Sequence, residues 1–156
     1  MPYLIDGHNL IPKLGLRLDS IDDEMELVAI LQEFARLERR QVDVYFDGAP
    51  AGQAGTRKLG TVRAHFVPLG DTADNAIRAR LKKMGRDAKN WIVVSSDRQV
   101  QIDARTTQAQ VLTSDKFAGS LIKARNSISK QDHGEHKLTN SEIKEWLDLF
   151  DRKENE

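Results

Sequence analysis

The 156-residue chain contains no cysteine. That excludes disulfides, zinc–thiolate sites and cysteine nucleophiles, and it fits a reducing compartment. Aromatic residues make up only 6% of the chain, so extensive stacking on nucleic-acid bases is not expected. Neither sign of charge is in surplus, because 24 Lys and Arg balance 24 Asp and Glu. A non-specific nucleic-acid binder usually carries excess positive charge, since phosphate neutralisation drives its affinity. Any polyanion-binding surface here must come from local clustering, with the acids segregated elsewhere. No apolar run approaches the length of a membrane span. The opening Met1-Pro2-Tyr3 enters an apolar segment at once, without the basic and long apolar regions of a secretory leader. A cytoplasmic location with no membrane contact is the expectation.

What is present reads as an ordinary globular chain, with 39% hydrophobic and 31% charged residues. The length suits one domain with one real core. Five short apolar or β-rich runs predict strands at residues 3–5, 42–46, 62–67, 91–94 and 110–112. Helical spacing covers residues 20–40, with Met25, Val28, Leu31, Ala35 and Leu37 on one broad face. Acids at its start (Asp22, Asp23, Glu24) and arginines at its end (Arg36, Arg39, Arg40) complement the helix dipole. A second helix runs from Asp71 to about Met84, with Ala73, Ile77, Leu81 and Met84 inward. A third spans about 98–107, and Ser114 can cap a fourth over 117–124. Residues 49–60 read as a glycine-rich loop.

Strands alternating with helices predict an α/β domain with a mainly parallel, five-stranded sheet over residues 1–125. Residues 126–138 read as a polar linker. Thr139 and Glu142 then have capping-box spacing before an amphipathic helix at 139–151, with Ile143, Trp146, Leu147 and Phe150. That helix is expected to dock on the same domain.

Three predicted strands end in acids. Ile5 runs into Asp6, Phe46 into Asp47, and Val94 into Ser95-Ser96-Asp97, while the helix after the third strand opens with Asp71 and Asp74. In an open parallel sheet all strand C-termini share one edge, and ligand sites form there. Carboxylates brought together repel unless one is protonated or a cation intervenes. Mg²⁺ prefers oxygen ligands and uses a few carboxylates together with water and substrate phosphates. Such a site activates water and stabilises charge on a phosphodiester. The predicted chemistry is hydrolysis of a nucleic-acid backbone.

Each residue also has a plainer role. Asp6-Gly7 and Asp47-Gly48 are common turn pairs, and Asp71, Asp74 and Asp97 are acids suited to helix starts. Their joint occurrence at adjacent strand ends favours the site. Asn9 can hold the loop or position water through its amide, and Ser96 offers a hydroxyl beside Asp97. His8 lies beside the site, His65 reads as structural, and His133 and His136 lack a ligand framework. Arg57, Lys58 and Arg63 flank the glycine-rich loop and are the expected RNA contacts. The cations of the helix after the third strand read as a solvated face. A haloacid-dehalogenase arrangement needs a second acid where His8 stands, and a receiver domain needs a paired acid near the first strand.

The runs YLIDGHNLI (3–11), VYFDGAP (44–50), GDTADNAI (70–77) and VVSSDRQV (93–100) occur in that order. Together they resemble the NYN domain, a branch of the PIN-like ribonucleases, and most closely its bacterial YacP-like group. The resemblance covers about residues 1–121. It implies a three-layer α/β/α sandwich, an acidic Mg²⁺ or Mn²⁺ site, endoribonuclease activity and an association with the translation machinery. Carried onto this chain, it makes Asp6, Asp74 and Asp97 the metal-site acids, with Asp47 and Asn9 in support. Asp71 stands where the YacP-like pattern often has an acid. His8 departs from the pattern, which commonly has an aromatic there, and the loop after Asp47 and the tail from residue 126 look less family-like. The competing reading is a non-catalytic RNA- or ribosome-binding module that keeps the fold.

Overall fold

The computed structural model describes residues 1–15, 21–50 and 52–132. The first strand, β1 (Tyr3–Asp6), is buried at all four positions because it lies in the middle of the sheet with helices on both faces. It runs directly into a one-turn helix α1 (Gly7–Leu10), a 3-10 turn (Ile11–Leu14) and the long helix α2 (Ile21–Glu38). Next come β2 (Val42–Ala49), β3 (Gly55–Leu59), β4 (Val62–Pro68), α3 (Ala73–Met84) and a 3-10 segment (Gly85–Asn90). The described chain closes with β5 (Ile92–Val94), α4 (Arg98–Thr106), β6 (Gln110–Leu112) and α5 (Ser114–Asp132).

The sheet order is β3-β4-β2-β1-β5-β6, parallel throughout except for the antiparallel β3–β4 pair. Alternation along the strands sends residues to two cores. Ile5, Val44 and Phe46 face α1, α2 and α5, where Tyr3, Phe34 and Phe117 form an aromatic cluster with centroids 5.2–5.5 Å apart. Leu4, Tyr45 and Val93 face Ile77 and Leu81 of α3 and Val100 and Ala104 of α4. The result is the α/β/α sandwich with a mainly parallel sheet. Among the described residues no helix is long and apolar enough to cross a membrane.

Several local expectations change. Among the described residues the sheet has six strands, not five. Within the stretch read as a loop, Gly55–Leu59 forms β3, an exposed edge strand whose sequence GTRKL lacks apolar alternation. β2 does not stop at Asp47-Gly48 but continues to Ala49 through a register shift, with Gly48 at φ 78°. On α2, Met25 and Leu37 are exposed, and the buried stripe is Leu27, Ile30, Leu31 and Phe34 with Val28 and Ala35. Thr113 caps α5, since its Oγ1 accepts from the Lys116 N–H at 3.2 Å, whereas the buried Ser114 hydroxyl has no partner among the described residues. α5 extends to Asp132, through the first part of the predicted linker. The rest of that linker, His133, His136 and the 139–151 helix lie outside the described residues.

One charged network ties three elements on the α3 face. Asp43 of β2 is fully buried and accepts hydrogen bonds from Gln41 Nε2 (2.8 Å), Arg80 Nη1 and His65 Nε2 (2.9 Å). Burial alone would push its carboxyl up, but hydrogen bonds from His65, Gln41 and Arg80 outweigh that and hold it below the usual carboxylate range. The Arg80 guanidinium also donates to the Tyr45 hydroxyl at 3.0 Å and lies 5.0 Å over the Trp91 ring. This places His65 in a structural role, bridging Asp43 and Thr56. Asp43→Ala strands Arg80 and is expected to cost about 3–5 kcal/mol in urea unfolding. Asp43→Leu combined with Arg80→Leu should recover much of that loss.

Candidate active site

The site begins where β1 meets α1. Asp6 has extended backbone angles, and its carboxylate accepts the Asn9 N–H at 3.4 Å, so strand and helix join without a loop. That junction requires glycine at position 7. A Cβ there would lie 2.4 Å from Phe46 Cε1 and 2.9 Å from the Tyr45 carbonyl oxygen. The tight approach of α1 to β2 leaves Asp6 only 3% exposed.

Asp74 reaches Asp6 from the first turn of α3. Thr72 performs the capping there, its Oγ1 accepting the Asn75 N–H at 3.1 Å, which frees the Asp74 carboxyl for another partner. Burial, then the hydrogen-bonding contact and charge of Asp74, push the Asp6 carboxyl up to about 8, with the Asp47 charge adding to them and the Asn9 N–H opposing them. Near neutral pH Asp6 therefore holds a proton against its neighbour.

On the other side of β1, the Asn9 side-chain oxygen accepts the Ser96 N–H at 2.9 Å and pins the loop after β5 to the loop after β1. The chain turns to opposite sides of β1 here, since β2 and β4 lie on one flank and β5 and β6 on the other. This is the crevice in which α/β sheets place ligands. Asp97 sits on its rim. Its Oδ1 caps α4 by accepting the Val100 N–H at 3.0 Å, and its own N–H donates to Ser95 Oγ at 3.0 Å. Ser96 is exposed at the same rim.

The remaining predicted residues divide. Asp71 is exposed and accepts from the Thr72 N–H (2.8 Å) and Asn75 Nδ2 (3.3 Å), so it shapes its own loop. Asp47 binds His8 Nδ1, and Glu24 Oε1 of α2 stands 3.8 Å from the buried His8 Nε2. Glu24 first and then Asp47 raise the His8 imidazole above its ordinary value against the effect of burial. Glu24 was read only as an acid suiting the helix dipole; no local signal ties it to His8. Arg57 joins Glu24 and Asp47 around a cavity of about 160 Å³, with its guanidinium 5.0 Å over the Phe66 ring. Lys58 and Arg63 line a different concavity, beside the C-terminus of α2.

Among the described residues no three His, Cys, Asp or Glu side chains are grouped as a metal site would group them. The pair that does meet, Asp6 with Asp74, fits a hard cation. It offers only oxygen donors, is closed to water on the Asp6 side, and carries a proton whose place a divalent ion would take.

The sign of the Asp6 shift sets a pH dependence. Its carboxyl lies at about 8 when folded against 3.8 as the reference for the open chain, so stability is full below about pH 4 and falls as pH rises towards 8. Asp6→Asn mimics the protonated form. In thermal melts without divalent cations, it should flatten that decline and melt above the wild type at pH 8, by a margin on the order of a few kcal/mol.

No curated protein matches the chain. Solved structures do, among them two of Rae1 (YacP) from Bacillus subtilis. The first has 18% identity and a TM-score of 0.66, covering 97% of this chain and 89% of that one. The second, a single-substitution mutant, has 21% identity and the same TM-score, covering 99% and 97%. These likenesses establish the fold. The YacP-like NYN domain family matches residues 3–154, so its pattern continues past residue 121 into the tail that read as less family-like. The chain belongs to the YacP-like NYN domain family.

Proposed function

We propose that this protein is a Mg²⁺- or Mn²⁺-dependent endoribonuclease that hydrolyses RNA phosphodiester bonds at the C-terminal edge of its sheet. The observation that carries this reading is the Asp6–Asp74 pair: two carboxyls in contact, one of them buried, at the crevice beside the central strand. Such an arrangement is unfavourable for folding, and groups perturbed in this way cluster at functional sites. In this reading Asp6 and Asp74 hold the cation from the protein side. Asp97 contributes from the rim, since its cap uses Oδ1 alone. When bound, the cation lowers the pKa of a water and neutralises charge building on the phosphate.

The chain's own groups do the rest. Asn9 fixes the β1 and β5 loops relative to each other through Ser96, so the rim cannot drift from the pair. Asp47 and Glu24 orient His8 next to it. Arg57 offers a cation to the RNA backbone across the cavity it shares with them. Hydrolysis adds a water oxygen to phosphorus, breaks the bond to one ribose oxygen and leaves a proton on that oxygen. Family membership supports RNA as the substrate class, and we assign ribosome-associated RNA as the setting. The expected location is the cytoplasm.

Cleavage of free and ribosome-bound RNA, with and without Mg²⁺ or Mn²⁺, tests the proposal. Asp74→Asn should lower the rate at least ~100-fold, the scale of losing several kcal/mol of charge stabilisation. Asp97→Asn is the sharper variant, because asparagine caps helices about as well as aspartate. Its melting temperature should stay near wild type while cleavage falls by a similar factor. Wild-type cleavage by Asp74→Asn would overturn the proposal, and wild-type cleavage by Asp97→Asn alone would reduce that residue to a cap.

A further inference from the structure

Across the sheet from the acid pair, at the N-terminal ends of β2 and β4, lies an open concavity of about 570 Å³. Five cations line it: Arg36, Arg39 and Arg40 from the end of α2, Lys58 from β3 and Arg63 from β4. Among the described residues no acid lines it and none of the five is ion-paired. Glu33 lines an adjoining concavity that shares Arg36, Gly60 and Thr61, which marks the border of the basic patch.

The α2 dipole accounts for cations on its last turn but not for two more arriving from separate strands. Lys58 and Arg63 face each other across the β3–β4 pair, where like charges are unfavourable. Arg39 is costlier still. The Arg40 N–H bonds to the Ala35 carbonyl at 3.1 Å, closing a helix C-terminus that seats residue 39 in the left-handed region, at φ 53°. Glycine belongs in that seat, yet an exposed arginine occupies it. Two features that each oppose folding converge on one concavity, where positive charge without an ion-pair partner is concentrated.

We infer that this concavity is a second docking site for RNA phosphates, remote from the cleavage site. The inference rests on the reading that RNA is the substrate. Register sets the separation, because Val42 lies beside Tyr3 while Tyr45 lies beside Asp6, a span of roughly 10 Å at ~3.3 Å per residue. RNA held here is gripped by its backbone, since the lining offers guanidinium and ammonium groups but no aromatic ring. The zero net charge of the chain hides this division, with acids at one sheet edge and unpaired cations at the other.

The test measures binding of the full chain to a labelled single-stranded oligoribonucleotide by fluorescence anisotropy, in chelator to prevent cleavage, over a salt series. Each phosphate neutralised contributes about 0.7 to the slope of log affinity against log salt. The variant combining Arg39→Gly, Lys58→Gln and Arg63→Gln should lose about 2 from that slope. Arg39→Gly alone should lose about 0.7 while melting at or above wild type, so lost binding cannot be ascribed to lost folding. A wild-type slope retained by both variants overturns the inference and leaves the RNA reading standing. Absence of wild-type binding at low salt overturns the RNA reading and the inference with it.

Discussion

Asp6 is held out of water at the end of the central strand, and a carboxylate in that position must be neutralised by something. A proton can do it, at a carboxyl pushed up to about 8, and a divalent cation shared with Asp74 can do it. The surrounding structure enforces the choice. Gly7 lets α1 close over β2, Asp6 itself starts α1 by accepting from Asn9, and Asn9 in turn holds the loop after β5. Thr72 takes over the cap of α3 so that Asp74 is free to face Asp6. A short β1-to-α1 junction thus fixes burial, charge state and access together.

The sheet separates opposite electrostatic tasks along its strands. At the C-terminal edge the acids meet and positive charge is in demand. At the N-terminal edge five cations, none of them ion-paired among the described residues, surround a concavity. Between them the buried Asp43 network satisfies its own charge internally, with Arg80, His65 and Gln41 supplying donors. The two ends are therefore separated by a region that is polar but already compensated. A chain with balanced composition can in this way present strongly biased local fields.

The placement of the acids is legible in the sequence because buried parallel strands read as short apolar runs, and each run stops abruptly at an acid. That signal located Asp6, Asp47 and Asp97 at one sheet edge, and the helix-opening pattern located Asp74. It could not show that Asp71 turns into its own loop or that Asp97 spends one oxygen on a cap. β3 escaped because an exposed edge strand needs no apolar face, and the glycines around it suggested a loop. Asp47-Gly48 looked like a turn because a glycine at positive φ serves a turn and a bulge equally well. Arg57 and Lys58 were grouped by adjacency, yet neighbouring residues in a strand point to opposite faces and these two line different cavities. Glu24 faces His8 only through tertiary packing, which no local pattern reports.

The Asp6–Asp74 pair, one carboxyl buried and the other half-buried, is proposed as a cation site. Anomalous diffraction from crystals of the full chain soaked in Mn²⁺ tests it most directly. The account predicts a manganese peak in contact with carboxylate oxygens of both Asp6 and Asp74. Full soaking with no peak at the pair, or with manganese bound only at other positions, would contradict it.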